Sequence, residues 1–239
     1  MSFPRKLPIG VQSFKVLRND RYIYVDKTKY ITQLVTSSRV YFLSRPRRFG
    51  KSLFLSTLKA YFLGQKELFK GLYIEKAEEK RAEIEKTEAW AEYPVLYMDF
   101  NTKYYKDQEA LLTIINLHLD DWEKLYNLSK TSGDIEDRFK AVISALYEKT
   151  GRQVVILVDE YDKPLLQTMG VNETLNEQYR NTLKAFYSVI KTCDQYIRFA
   201  FLTGVTKFSK ISIFSDLNNL RDISMEKQYA GICGITQAE

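Results

Sequence analysis

Gly50, Lys51 and Ser52 form the short motif with the clearest chemistry in this chain of 239 residues. A glycine lets the backbone approach a ligand closely because it has no Cβ atom. A lysine can reach the β- and γ-phosphates of a nucleotide, and a serine hydroxyl can hold Mg²⁺. The tripeptide therefore favours a phosphate-binding loop before a helix, where backbone N–H groups attract anions.

The residues before this tripeptide depart from the general phosphate-loop pattern, G-x-x-x-x-G-K-[ST]. The first glycine of that pattern would fall at Arg45, and Pro46 has no N–H to donate. The segment still lies between a predicted strand and a predicted helix, as a phosphate loop does. A basic turn with solvated arginines and Ser52 as a helix cap is the alternative. We predict nucleotide contacts from seven consecutive residues: Arg47, Arg48, Phe49, Gly50, Lys51, Ser52 and Leu53.

Two neighbouring carboxylates, Asp159 and Glu160, follow the most apolar run of the chain, 154–158. A strand that ends in aspartate can deliver a carboxylate to a metal-bound phosphate. We predict that Asp159 and Ser52 hold Mg²⁺, directly or through water. Glu160 is the predicted general base for the attacking water, and Lys51 the catalytic cation. Alternatively, the two acids only begin a loop and cap the next helix.

Three further polar residues follow apolar runs and compete for roles at the same site. Asp99 could hold Mg²⁺ in place of Asp159, but it has no acidic neighbour to act on water. Thr203 and Thr206 follow the run 197–202, and either hydroxyl could contact the γ-phosphate or the attacking water. We include Thr203 in the catalytic set, although threonine is common in strands for packing reasons alone.

The remaining reactive side chains receive lesser roles. His118 has apolar neighbours within a predicted helix and is predicted to be structural. Tyr22 and Tyr24 could stack on an adenine base. Cys193 and Cys233 form no C-x-x-C pair, which argues against a disulfide framework or a thiolate zinc site and suits a reducing compartment.

Apolar runs and helical patterns alternate along the chain and predict the elements that position these residues. Buried strands are predicted at 39–44, 95–100, 154–158 and 197–202. Helices are predicted at 52–64, 108–126, 134–150 and 174–193. A densely charged stretch, 75–92, predicts a solvated helix. The candidate residues follow the carboxyl ends of the strands, where parallel sheets bind their ligands.

This order of elements predicts an α/β fold in which helices cover both faces of a mainly parallel sheet. We expect a three-layer P-loop NTPase sandwich. The acid pair on a late strand fits the type with an additional strand and a catalytic glutamate. Residues 38–239 are predicted to form this core, and residues 1–37 an N-terminal extension that packs on it.

Composition narrows the possible classes of protein. Hydrophobic residues make up 45% and charged residues 28% of the chain, which is ordinary for a globular domain. The first ten residues contain no apolar signal region, and no apolar run reaches the length of a membrane span. We therefore expect a cytoplasmic protein without membrane contact. The net charge of +6 favours polyanions but does not separate nucleotide, nucleic acid and acidic protein.

Several stretches together resemble the bacterial AAA-ATPase-like family and span nearly the whole chain. In that family RPRRFGKS is the usual phosphate loop, so Arg45 departs from the general pattern but not from the family. The matching stretches are 7–10 (LPIG), 24–28 (YVDKT), 45–52 (RPRRFGKS), 158–164 (VDEYDKP), 202–205 (LTGV), 212–215 (SIFS) and 217–220 (LNNL).

The resemblance implies a P-loop core with an additional strand and a catalytic glutamate. It implies phosphate binding at Gly50, Lys51 and Ser52, and the magnesium and water roles at Asp159 and Glu160. Family members usually continue into a helical lid and often into a domain similar to PD-(D/E)xK nucleases. We therefore expect this chain to be a fragment without either part.

The sequence thus predicts a domain that binds ATP and Mg²⁺ and hydrolyses ATP to drive or switch a partner. A nucleotide switch that does not hydrolyse ATP and a basic nucleic-acid-binding module are the alternatives. The partner, protein or nucleic acid, stays open, as does assembly into a homo-oligomer.

Overall fold

A single parallel sheet organises the chain in the computed structural model, which describes residues 6–102, 104–206, 213–214, 217–237 and 239. Ser212 and Ser215, from the family-like stretch 212–215, lie outside the described residues. The strands are β1 (Val40–Ser44), β2 (Val95–Asp99), β3 (Val154–Asp159), β4 (Ile197–Gly204) and β5 (Arg221–Asp222). The sheet has the strand order β2-β3-β4-β1-β5, and every pair is parallel.

β4 lies between β1 and β3, so a strand late in the chain separates the strand before the glycine-lysine-serine motif from the strand before the acid pair. Ser44 pairs with Gly204, and Asp99 pairs with Asp159, at the carboxyl ends of their strands. This arrangement confirms the predicted α/β fold with a parallel, P-loop NTPase-like sheet. It also places the additional strand where that type requires it.

Helices cover both faces of the sheet and explain the continuous apolar runs of the strands. The helices are α1 (Phe14–Asn19), α2 (Lys29–Val35), α3 (Lys51–Phe62), α4 (Tyr73–Glu85), α5 (Gln108–Leu125), α6 (Ile135–Thr150), α7 (Lys163–Thr168) and α8 (Glu173–Thr192). Along β3, Ile156 packs into a cluster with residues of α5, α6 and α8, and the next residue, Leu157, packs into a cluster with residues of α1, α2 and α3.

The segment before β1 packs on the α3 side of the sheet. Phe14 in α1 is fully buried, and its backbone N–H donates to the hydroxyl of Ser56 in α3 over 2.9 Å. Tyr30 and Ile31 of α2 belong to the same apolar cluster. The division of the chain at residue 37 stays a prediction.

The charged stretch differs from its prediction. α4 ends at Glu85 and not near residue 92, because Lys86 adopts a left-handed conformation (φ 53°) and the chain turns back to bury Trp90. The helix is not wholly solvated either. Glu78 is 2% exposed, and its carboxylate accepts hydrogen bonds from the guanidinium of Arg81. Charge density alone did not reveal this buried ion pair.

Four elements of the described chain were not predicted. The helices α1, α2 and α7 have only six or seven residues, and β5 is a two-residue edge strand that contains no apolar run. Elements this short give no periodic signal in the sequence. In the described part of the chain, none of the helices combines the length and apolar character needed to cross a membrane.

Candidate functional site

The loop between β1 and α3 brings backbone donors to the carboxyl edge of the sheet. Gly50 precedes the first helical residue and has a φ of 89°, a left-handed conformation that favours glycine. Arg48, two residues earlier, is also left-handed, with a φ of 65°. The first turn of α3 leaves its N–H groups without partners in the helix, which makes its N-terminus attractive to an anion.

Lys51 is buried within this loop, with only 4% of its surface exposed. Its ammonium group donates to the carbonyl oxygens of Arg45, at 3.0 Å, and Pro46, at 3.2 Å. Among the described residues no carboxylate lies within ion-pair distance of this ammonium. The loop therefore holds a buried cation whose hydrogen-bond partners, within the described part of the chain, are the neutral carbonyl oxygens of Arg45 and Pro46.

Arg45 replaces the first glycine of the general phosphate-loop pattern, and the structure gives it a role. Its guanidinium donates to three backbone carbonyls: Ser44 at 3.0 Å, Ser224 at 2.7 Å and Tyr229 at 3.2 Å. The side chain thereby ties the start of the loop to the segment after β5. A rigid fork of donors suits arginine for such multiple contacts.

Asp159 ends β3 and is 2% exposed. Its Oδ1 atom accepts a hydrogen bond of 2.7 Å from the hydroxyl of Thr203, which is completely buried in β4. Thr203 pairs in register with Leu43 of β1, so it lies between the strand before the loop and the strand that carries Asp159. The inserted strand thus fixes the predicted magnesium carboxylate.

Glu160 occupies a strained position, because its φ of 50° is left-handed and side chains other than glycine rarely adopt it. Burial raises the pKa of Glu160, and the charge of Asp159 adds to the rise. Three cations oppose the rise: Lys51, Lys163 and Arg47. The ionisation of Glu160 therefore depends both on the charge of Asp159 and on charges in the phosphate-loop segment.

The turn after Glu160 is pinned to the end of β4. Asp162 is fully buried, and its carboxylate accepts from the backbone N–H groups of Val205 and Thr206 and from the Thr206 hydroxyl. The hydroxyl of Thr206 therefore stabilises this turn. Gly204 must lack a side chain here, since a Cβ atom would lie 2.4 Å from the Tyr161 ring.

Asp99 lies beside Asp159 at the end of the neighbouring strand. Burial raises the pKa of Asp99, against the hydrogen bond from the Asn101 N–H, and the charge of Asp159 adds to the rise. His118 contacts the Asp99 backbone, accepting from its N–H over 3.3 Å, and stacks on Trp122 at 6.0 Å. These contacts agree with a structural histidine.

One cavity of about 870 Å³ joins the two motifs. Its lining includes all seven predicted contact residues from Arg47 to Leu53 together with Glu160 and Tyr24. Asp159 and Thr203 are not on its wall, and neither is Tyr22. A cavity of this size falls in the range of small-molecule sites.

Sequence reasoning missed several residues of this cavity. Lys27, Asn101 and Lys163 line it, and so does the segment 232–235. The N–H of Gly234 donates to the carbonyl of Phe49 over 2.8 Å, which holds that segment against the loop. Lys27 and Lys163 lie within the family-like stretches 24–28 and 158–164, the one sequence signal that could have drawn attention to them.

The oxygen donors at this edge suit a hard divalent cation such as Mg²⁺, which commonly binds one or two carboxylates together with substrate phosphates. Asp159 and Asp99 supply neighbouring carboxylates, and the Ser52 side chain lies on the cavity wall. Within the described residues, no group of three or more His, Cys, Asp or Glu residues could hold a metal alone. A cation at this edge would therefore also need phosphate oxygens from a bound ligand. Cys193 and Cys233 are free and buried.

A parallel sheet with this strand order, and a glycine-lysine-serine loop between β1 and α3, place the chain among proteins with a P-loop NTPase-like fold. The chain belongs to the family described as "Predicted AAA-ATPase", whose model matches residues 8–214. It is also 42% identical, over 236 residues, to an "Uncharacterized protein in vnfD 5'region" of Azotobacter chroococcum mcd 1. That alignment covers 98% of this chain but 44% of the relative's length.

Proposed function

We propose that this chain binds ATP with Mg²⁺ in the cavity between the β1–α3 loop and the end of β3, and that it hydrolyses the bound ATP. One observation carries the proposal: the residues Arg47 to Leu53 and the distant Glu160 line a single cavity. A phosphate-binding loop and a carboxylate that can activate water must share a cavity for this reaction to occur.

The charge of the cavity supports a polyphosphate ligand. Arg47, Arg48 and Lys51 line it beside the N-terminus of α3, where unpaired N–H groups also favour anions. The buried ammonium of Lys51 would exchange the neutral carbonyls for charged phosphate oxygens. The apolar part of the wall, which includes Ile9, Ile23, Tyr24 and Ile235, suits the base.

Ser52, on the cavity wall, would hold Mg²⁺ directly, and Asp159, which does not reach that wall, would hold it through water. The cation would neutralise charge on the phosphate oxygens. Thr203 would act through Asp159, because its hydroxyl donates to that carboxylate and does not reach the cavity wall. We therefore assign it a positioning role in place of the predicted direct contact.

Glu160 would take a proton from the attacking water. Burial raises the pKa of this carboxyl, and a higher pKa makes its carboxylate a stronger base. The hydrogen bonds of Asp162 hold the backbone that carries Glu160 in place before the substrate arrives.

Calorimetric titration with a non-hydrolysable ATP analogue and Mg²⁺ tests binding. We expect Lys51→Ala to weaken affinity roughly 10- to 100-fold, the value of a hydrogen bond to a charged group. Lys140→Ala, an exposed substitution on α6, is the matched control and should leave affinity unchanged. Equal affinities of wild type and Lys51→Ala would contradict the proposal.

Turnover assays test the acids separately. Glu160→Gln should keep analogue binding and lose roughly 10²- to 10⁴-fold in turnover, as expected when a general base is removed. Asp159→Asn should lose turnover more than Asp99→Asn. Loss in Asp99→Asn alone would reassign the metal role to Asp99. Binding without turnover in the wild type would make the chain a nucleotide switch.

A further inference from the structure

Lys163 is a cation of the cavity that the phosphate-loop motif does not include. It lies on the cavity wall with Glu160, just after the acid pair, whereas Lys51 lies in the phosphate loop. Its ammonium forms no ion pair with any described carboxylate, although its charge reaches Glu160 and Asp99 and opposes the rise in the pKa of each. A half-buried lysine without an ion pair is available to an anionic ligand.

The turn that carries Lys163 is rigid. The N–H of Lys163 donates to the carbonyl of Glu160 over 3.0 Å, so the two residues belong to one tight turn. Asp162 between them is hydrogen-bonded to the end of β4, and Pro164 after them is buried. Lys163 and Glu160 are thus presented to the same cavity by one fixed piece of backbone, which suits a preorganised catalytic group.

We propose that Lys163 is a catalytic residue that contacts the terminal phosphate of the bound nucleotide from the side of Glu160. This inference rests on the proposed function. In the reaction, the oxygen of water bonds to the terminal phosphorus while the bond from that phosphorus to the bridging oxygen breaks. Glu160 accepts the proton of the water, and ADP and phosphate leave.

Since Glu160 acts on the water that attacks the terminal phosphorus, a cation on the same turn meets that phosphate and not the α-phosphate. Lys51 approaches from the loop, and Lys163 from the end of β3. Charge that shifts onto the phosphate oxygens during the reaction is then stabilised from both sides. The chain would supply this second cation itself, without a neighbouring subunit.

The test compares ligands that differ only at the terminal phosphate. Affinities of wild type and Lys163→Met are measured for ADP, for a non-hydrolysable ATP analogue, and for ADP with aluminium fluoride, each with Mg²⁺. We expect ADP affinity to change less than about twofold, analogue affinity to fall about tenfold, and aluminium fluoride affinity to fall roughly 100-fold. Turnover should fall roughly 100-fold.

Two matched variants keep this test decisive. Lys163→Arg preserves the charge and should recover part of the turnover and of the aluminium fluoride affinity. Lys140→Met removes an exposed lysine outside the cavity and should behave as wild type. Thermal unfolding of each variant verifies that it is folded.

The outcomes separate this inference from the proposed function. If wild type binds none of the three ligands, the proposed function fails. If wild type prefers the ATP analogue and Lys163→Met keeps the same preference, Lys163 does not contact the terminal phosphate and the inference is overturned. A shift in the pH profile of turnover without a change in ligand preference also overturns it, because Lys163 would then act only on Glu160.

Discussion

The hydroxyl of Thr203 donates a hydrogen bond to Oδ1 of Asp159 over 2.7 Å, and both side chains are buried. This contact crosses from the inserted strand β4 to β3. It fixes one oxygen of the carboxylate that we propose for Mg²⁺. A buried carboxylate that loses a hydrogen-bond donor retains its desolvation cost without compensation.

Thr203→Val replaces the hydroxyl by a methyl group of similar shape. We expect it to lower the free energy of unfolding by about 2 kcal/mol, because the buried carboxylate of Asp159 loses the hydrogen bond from Thr203. Urea unfolding measures this change. Thr203→Ser keeps the donor and should recover most of the stability. Equal losses in both variants would show that packing of the threonine methyl group, and not the hydrogen bond, is what matters.

The four longer strands could be predicted because their signals are local. β3 and β4 are buried on both faces, so their apolar runs mark them directly in the sequence. Gly50, Lys51 and Asp159 follow such runs, and parallel strands bring their carboxyl ends to one edge. Sequence position and strand direction together were enough to predict that these residues lie at one edge of the sheet.

Other features depend on distant parts of the chain and left no local signal. The contacts of Arg45 with Ser224 and Tyr229 cross about 180 residues, as the separations of 179 and 184 show. The segment 232–235 joins the cavity through its contact with Phe49. The early end of α4 follows from the burial of Trp90. Each depends on packing that only the folded chain establishes.

Glu160 adopts a backbone conformation that costs free energy. Its φ of 50° is unfavourable for any residue with a Cβ atom, whereas glycine tolerates it. We expect Glu160→Gly to be about 1 kcal/mol more stable than Glu160→Ala in urea unfolding, while both lose turnover. Lower stability of the glycine variant would show that the turn is not strained at this residue.

Turnover should depend on pH through Glu160. Its pKa is raised by burial and by Asp159, and the base must be deprotonated to act. Activity should therefore decline, as pH falls, at a pH above the ordinary range of a glutamate, about 4.3. Lys163→Met removes a charge that lowers this pKa and should move the decline to higher pH. The measurement is kcat/KM as a function of pH, because that ratio reports the ionisation of groups in the ligand-free protein.

The raised pKa of Glu160 should also make the stability of the protein depend on pH. A carboxyl whose pKa is raised by folding binds its proton more tightly in the native state, so its contribution to stability is lost as pH rises through the raised pKa. Glu160→Gln should therefore be more stable than wild type at neutral pH. The difference should vanish below about pH 4, where the carboxyl is protonated in both states. A difference independent of pH would contradict the raised pKa.

Arg45 is the residue at which this loop differs most clearly from the general phosphate-loop pattern, which has a glycine there. Its guanidinium donates hydrogen bonds to the carbonyls of Ser44, Ser224 and Tyr229. The segment after β5 therefore supports the loop. Arg45→Gly would restore the glycine of the general pattern and remove all three hydrogen bonds. We expect the variant to lose about 2 kcal/mol in urea unfolding and to bind the ATP analogue more weakly than wild type.

Arg45→Lys is the matched variant, because it keeps the charge and lacks the fork that reaches several carbonyls at once. It should fall between wild type and Arg45→Gly in both stability and affinity. If Arg45→Gly binds the analogue as tightly as wild type, the ties to Ser224 and Tyr229 do not shape the loop. Glycine would then serve this chain as well as it serves other phosphate loops, and Arg45 would have only a structural role outside the site.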